Sequence, residues 1–268
     1  MFPILPSTAW LEFRGKPSSH GQNLTTHQAL IAGPNGQEHR CFVKFSPVGN
    51  PMPLTEAIGW MIAEALDLPR PKFAALVMIP LGRLRPHLPL DQHWMLHQEA
   101  LGFCCSAVDG KHLTGRWRWL RALRQAKAFK HPDVSRIAAF DTWVENQDRH
   151  SGNLLKTANG GYTPIDNEAI LHSTVWAQAQ IQFVHHSIRS EARQLLNRRS
   201  YTQFESNMVL ASDHHAAAFH RGWPDVQTLL QKMVADPTMQ QQLGLTLKDF
   251  LEARAASGWL ATELGQIP

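Results

Sequence analysis

"NLLKTANGGYTPID", residues 153–166, joins two short apolar runs through Asn-Gly-Gly, residues that accept the positive backbone angles of a tight hairpin turn. With residues 157 to 161 as the loop, Lys156 pairs near Tyr162 and Asn153 falls opposite Ile165 or Asp166. Folding the hairpin then brings the amide oxygen of Asn153 beside the carboxylate of Asp166. Both are hard oxygen donors, suited to Mg²⁺ with phosphate oxygens and waters completing its shell. Asp148 lies in the loop that enters the first strand and reaches the same pocket. Such acids tolerate one another when a cation and a polar substrate lie between them; a polar turn with Asx caps is the plainer alternative.

Outward from this hairpin the chain changes character. A helix over about 134 to 146, carrying Ile137, Phe140 and Val144, leads into it, and the pattern after 174 is helical. Before it the sequence is rich in strands. "TTHQALIA" and "QEHRCFVKF" flank the turn "GPNG" and predict a hairpin over 25–45. The strand period places Cys41, Val43 and Phe45 on one face and Phe42 and Lys44 on the other. A lysine in so apolar a strand is costly unless its ammonium meets an anion; a half-solvated sheet is the bland alternative. "KFAALVMIP" (72–80) and "LGFCCSAV" (101–108) read as further strands, with an irregular stretch between them.

Two helices complete the plan. In "PLTEAIGWMIAEALDLPRP" (53–71), Ile58, Met61, Ile62, Ala65 and Leu66 share one face, Pro53 and Pro69 bound the helix, and Glu56 lies in its first turn away from the apolar stripe. In "RWRWLRALRQAKAF" (116–129), Trp119, Ala122, Leu123, Ala126 and Phe129 share one face, while Arg116, Arg118, Arg121, Arg124 and Lys127 occupy the rest. That basic stripe reads first as a solvated face and second as a dock for phosphate or an acidic partner. The expected class is α+β: a small β-rich N-lobe with one helix over 1–109, and a larger, mostly helical C-lobe with an embedded β-hairpin over 110–268.

Phosphoryl transfer needs positioning and charge neutralisation above all, so its minimum kit is a metal-ligand pair, a lysine for phosphate oxygens and an acid for the acceptor hydroxyl. Asn153 and Asp166 fit the metal pair. Asp148 fits the acid that orients the hydroxyl and accepts its proton. Lys44 fits the phosphate lysine and Glu56 the partner that holds it extended. For a phosphate-covering loop the candidate is "FRGKPSSHGQN", with Gly15, Ser18, Ser19 and Gly21; a surface turn is the competing reading.

"NQDRHSGNLL…PID" resembles the catalytic loop and metal-binding Asp of the HipA-like kinases, in the positions of Asn146, Asp148, His150, Asn153 and Asp166. Lys44 in "FVKF" and the helix that opens near Glu56 resemble that family's strand lysine and helix more loosely. The resemblance implies a bilobal, protein-kinase-like fold with ATP in the cleft and Mg²⁺ as cofactor, and His150 as a loop-organising residue. It implies a Ser/Thr protein kinase, in some members the toxin of a toxin–antitoxin pair with an antitoxin partner. Two departures stand beside it. No G-x-G-x-x-G is present, and little sequence precedes the first strands where such toxins carry an additional subdomain.

Composition narrows the alternatives. With 43% hydrophobic and 18% charged residues the chain is of globular and not disordered type. No apolar run is long enough for a bilayer and no signal-peptide pattern opens the chain, so a membrane is not an expected partner. Cys41, Cys104 and Cys105 do not make a disulfide framework, which points to the reducing cytoplasm. The His pairs at 185–186 and 214–215 sit in no metal-binding frame. A net charge of +4 permits anionic partners without selecting one. Three readings stay open beside the protein kinase: an inactive nucleotide- or partner-binding module, a kinase for a small molecule or lipid head group, and a nucleic-acid binder using the basic helix.

Overall fold

The computed structural model describes residues 1–17, 24–113 and 118–266. Ser18, Ser19 and Gly21, expected near phosphate, and Arg116 of the basic helix lie outside the described residues. The structure is α+β, as the sequence predicts, and divides into two units: residues 1–57 with 71–107, and residues 58–70 with 108–268.

The first unit is built on a six-stranded sheet. Its strands are β1 (Ile4–Leu5), β2 (Trp10–Gly15), β3 (His27–Ala32), β4 (Glu38–Phe45), β5 (Ala74–Pro80) and β6 (Glu99–Ser106), in the order β1-β5-β6-β4-β3-β2. All neighbours are antiparallel except β1 and β5. The β3–β4 turn forms as its residues dictate: Gly36 takes φ +76°, and the Gly33 N–H donates to the Gln37 carbonyl at 2.8 Å. One face of the sheet buries Trp10, Ile31, Val43, Phe45, Val77 and Ile79. The stretch after β5 holds two four-residue helices, α2 (Leu81–Leu84) and α3 (Gln92–Met95), which place Leu84 and Trp94 in the same core.

Helix α1 (Met52–Ala65) begins in the first unit and ends in the second. Its sequence suggests a single apolar stripe, yet it is buried on nearly every side, Glu56 included at 2% exposure. A charged residue so placed requires a partner, and Lys44 supplies it.

The second unit carries β7 (Gly110–His112), α4 (Arg118–Ala128), α5 (Pro132–Trp143), β8 (Asp148–Arg149), β9 (Leu154–Thr157), β10 (Tyr162–Pro164), a π-helical turn (His172–Trp176), β11 (His186–Ser187) and α6 (Ile188–Leu195) to α10 (Trp259–Glu263). Between these last two come α7 (Arg198–Ser212), α8 (His215–Met233) and α9 (Pro237–Ala255). Strands β9 and β10 form the expected hairpin, joined by β7 on the far side of β9. The core beneath is made by Phe129, Ile137, Leu154, Tyr162, Phe204, Met208 and Leu260.

Helix α4 departs from its sequence pattern. Trp119 and Leu123, expected on the buried face, are each 62% exposed, whereas Gln125 is buried. The Gln125 amide donates to the Ser151 hydroxyl, so a tertiary hydrogen bond, and not the apolar period, sets how the helix is turned.

Candidate functional site

The loop that carries Asp148 starts at a helix stop. Val144 caps α5, the Glu145 N–H donates to the Thr142 carbonyl at 3.4 Å and the Asn146 N–H to the Asp141 carbonyl at 2.8 Å. This is the Schellman pattern, with Glu145 in the left-handed position (φ +53°) usually given to glycine. Arg254 of α9 reinforces the stop, donating from Nε to the Trp143 carbonyl at 2.8 Å and from its NH2 to that of Thr142, beside the negative end of the helix dipole.

From there side chains fix each step. The Asn146 amide donates to Asp141 Oδ1 at 3.0 Å, and Asn146 Oδ1 accepts the Asp148 N–H at 3.1 Å. His150 Nδ1 accepts the Gly152 N–H at 3.0 Å, so His150 organises the loop, as its resemblance implies. A β-carbon on Gly152 would come within 2.6 Å of that ring, which explains the glycine. The Ser151 N–H donates to the Glu191 carboxylate at 3.2 Å.

Asn153 ends the turn. Its Nδ2 donates to the Asp148 carbonyl at 3.0 Å, which aims Oδ1 the other way, and its own carbonyl accepts the Ile165 N–H at 3.0 Å. The hairpin register is Leu154–Pro164, Leu155–Thr163 and Lys156–Tyr162, so Asn153 stands opposite Ile165, beside Asp166, as the turn sequence predicts. Asp166 adopts φ +69°. The amide oxygen of Asn153 and the carboxylate of Asp166 are a donor set that fits Mg²⁺ and is poor for softer metals.

Arg149 is the residue whose role the sequence disguises. Its side chain is fully buried. Its Nε lies 3.1 Å from both carboxylate oxygens of Asp141, and its two terminal nitrogens donate to the Ile165 carbonyl and to Asn167 Oδ1. One guanidinium therefore ties the end of α5, the loop that carries Asp148 and both neighbours of Asp166. Burial pushes the Asp141 carboxyl up, opposed by the Arg149 charge and by hydrogen bonds from Arg149 and Asn146. An acid within the apolar run of α5 was the available signal, but its partner eight residues on was not visible.

Asp148 is half-buried. Desolvation raises its pKa above the ordinary 3.8 and the Asp166 charge adds to the rise, while His150, His186 and Arg149 oppose it. His186 is there because β11 pairs in parallel with β8, placing it opposite Asp148, and its ring lies 5.9 Å from that of His150. A carboxylate with raised basicity in a polar loop suits a proton acceptor.

In the first unit, Lys44 and Glu56 form an ion pair, with side chains 14% and 2% exposed. The strand face that sequence assigns to Lys44 is the one opposite Val43 and Phe45, and the ammonium finds its anion on α1.

A family model for HipA-like kinases matches residues 32–250. Among solved structures, the proinflammatory kinase CtkA of Helicobacter pylori is similar over 94% of this chain and 99% of its own, at 16% identity and a TM-score of 0.49. HipA of the Shewanella oneidensis MR-1 toxin–antitoxin system, solved with HipB and operator DNA, is similar over 96% of this chain and 67% of its own, at 14% identity and a TM-score of 0.47. A comparison with curated proteins finds no match. No described helix is long and apolar enough to cross a membrane. The match to the family model spans most of the chain and includes the Asp148–Asn153–Asp166 loop: the protein belongs to the HipA-like kinase family.

Proposed function

We propose that this protein is an ATP- and Mg²⁺-dependent phosphotransferase whose acceptor is a Ser or Thr hydroxyl of another protein. The observation that supports the reading is the amide of Asn153: its nitrogen donates to the Asp148 carbonyl, which leaves its oxygen to serve as a ligand, and its backbone accepts from Ile165, the residue before Asp166. Asn153 and Asp166 would hold Mg²⁺, which supplies charge neutralisation for the phosphates. Lys44, kept in place by Glu56, would bind phosphate oxygens. Residues 1–57 with 71–107 would serve as the nucleotide-covering lobe and the remainder as the catalytic lobe.

In the reaction the acceptor hydroxyl oxygen forms a bond to the γ-phosphorus. The bond from that phosphorus to the β,γ-bridging oxygen breaks, and ADP leaves with the electron pair. The hydroxyl proton passes to the Asp148 carboxylate, whose raised pKa favours the transfer. Family membership supports the kinase reading; a protein acceptor, an antitoxin-like partner and a cytoplasmic setting are part of the proposal.

The test is phosphate transfer from γ-labelled ATP, to the protein itself and to a cell extract, with and without Mg²⁺, beside Asp148→Ala and Asp166→Ala. Label that appears on serine or threonine and is lost in both variants supports the proposal. Label found only on small molecules or lipids moves the acceptor class. No transfer by the unaltered chain, or equal transfer by both variants, ends it.

A further inference from the structure

Asp166 sits between two residues that one guanidinium holds. Arg149 donates to the carbonyl of Ile165 before it and to the side chain of Asn167 after it. The position of the Asp166 carboxylate therefore follows those two neighbours. Asn167 in turn rests against α1 at Gly59. A β-carbon at Gly59 would lie 2.6 Å from Asn167 Cβ, 3.0 Å from its Cγ and 3.2 Å from its Nδ2.

Such a clash has no inexpensive release. Asn167 Cβ moves only with its own backbone, which is joined to Asp166. The helix is confined as well: Ile58, Met61 and Ile62 around Gly59 are 0, 5 and 3% exposed. Glycine is disfavoured in a helix interior relative to alanine, and this close approach accounts for its presence.

We propose that Gly59 is a positioning residue for the metal site: its missing side chain sets the place of Asn167, and through it the left-handed turn that presents Asp166. This rests on the reading of Asp166 as a metal ligand. Gly59 acts through Asn167, whose atoms are the nearest to its missing β-carbon.

The test is calorimetric binding of a non-hydrolysable ATP analogue to the full chain at a series of Mg²⁺ concentrations. The forms compared are the unaltered chain, Gly59→Ala, Asn167→Gly, the double variant and Asp166→Ala, with melting temperature measured beside each. Gly59→Ala should raise the Mg²⁺ concentration at half-maximal binding about 10- to 100-fold, the range expected when a group that orients a metal ligand is disturbed. In the Asn167→Gly background, where the added methyl has room, Gly59→Ala should change that midpoint by less than about twofold. A glycine needed only for folding would lower the melting temperature and leave the Mg²⁺ midpoint of the folded protein unchanged; that result overturns the proposal. So does an equal shift in both backgrounds. Should Gly59→Ala fail to fold, the double variant decides, and a Mg²⁺ midpoint different from that of Asn167→Gly alone overturns it. Mg²⁺-independent binding by the unaltered chain and by Asp166→Ala alike would overturn the metal reading and this proposal with it. An Mg²⁺ midpoint altered in Asp166→Ala but unchanged in Gly59→Ala would overturn this proposal alone.

Discussion

Arg149 and Asp141 meet inside the protein, with the guanidinium Nε 3.1 Å from both oxygens of the carboxylate. A buried pair of this kind is costly to break from one side, because the remaining charge is left without water. Asp141→Ala or Arg149→Ala should each destabilise by about 3–5 kcal/mol. A double change to similar-sized apolar residues, Asp141→Leu with Arg149→Met, should cost less than either. Chemical denaturation of the three variants checks the order. The double variant should still lose phosphotransfer, since Ile165 and Asn167 lose their common anchor.

Asn153→Ala removes an expected metal ligand and the tie to the Asp148 carbonyl. Its main effect should be on Mg²⁺ dependence, with phosphate transfer down about 100-fold at low Mg²⁺ and partly restored at high Mg²⁺. Asp148→Asn should lower kcat by about 10²- to 10⁴-fold at every Mg²⁺ concentration. Steady-state rates over a Mg²⁺ series separate the two.

The Asp148 carboxyl titrates above 3.8, and a proton acceptor works only when ionised. The rate of transfer should therefore fall as pH drops through that raised pKa, while the alkaline side is unaffected by this group. A pH profile of kcat/KM for the unaltered chain shows the acid limb. The residual activity of Asp148→Asn should lack it.

His27 carries a pH dependence of stability that is independent of catalysis. It is buried in the sheet core, where its Nε2 accepts the Trp10 indole N–H at 3.2 Å and its Nδ1–H donates to the Thr25 carbonyl at 2.9 Å. Burial lowers its pKa from 6.5 to about 4. The unfolded chain takes up the proton near pH 6.5 and the folded one only near 4, so stability is complete above 6.5 and declines as pH falls between them. The loss from this residue should be on the order of 3 kcal/mol, and His27→Gln should flatten the slope of unfolding free energy over that interval.

Trp119→Ser and Leu123→Ser on the exposed face of α4 should each change folding stability by less than about 0.5 kcal/mol, as thermal unfolding will show. Buried residues of that size would cost several times more.

Much of the hairpin is legible in sequence because it is local. Asn159-Gly160-Gly161 dictates a turn, the turn dictates the register, and the register puts Asn153 near Asp166. Lys44 and Glu56 can be named from their residue types, but that Glu56 is almost wholly buried comes from helix packing on all sides, which no single stripe encodes. The orientation of α4 is misread because Gln125 turns inward to Ser151 against the apolar period. Arg149 is hidden for the same reason: its three partners come from α5, from Ile165 and from Asn167, which only the folded chain assembles.

The grip of Arg254 on the carbonyls of Thr142 and Trp143 bears on how this protein can be trimmed. A shortened version that stops before that arginine would keep every residue of the loop and hairpin, yet release the helix end from which the loop departs. Deletions for crystallisation or expression are better made elsewhere, since the last helices work as a remote clasp on the chemistry.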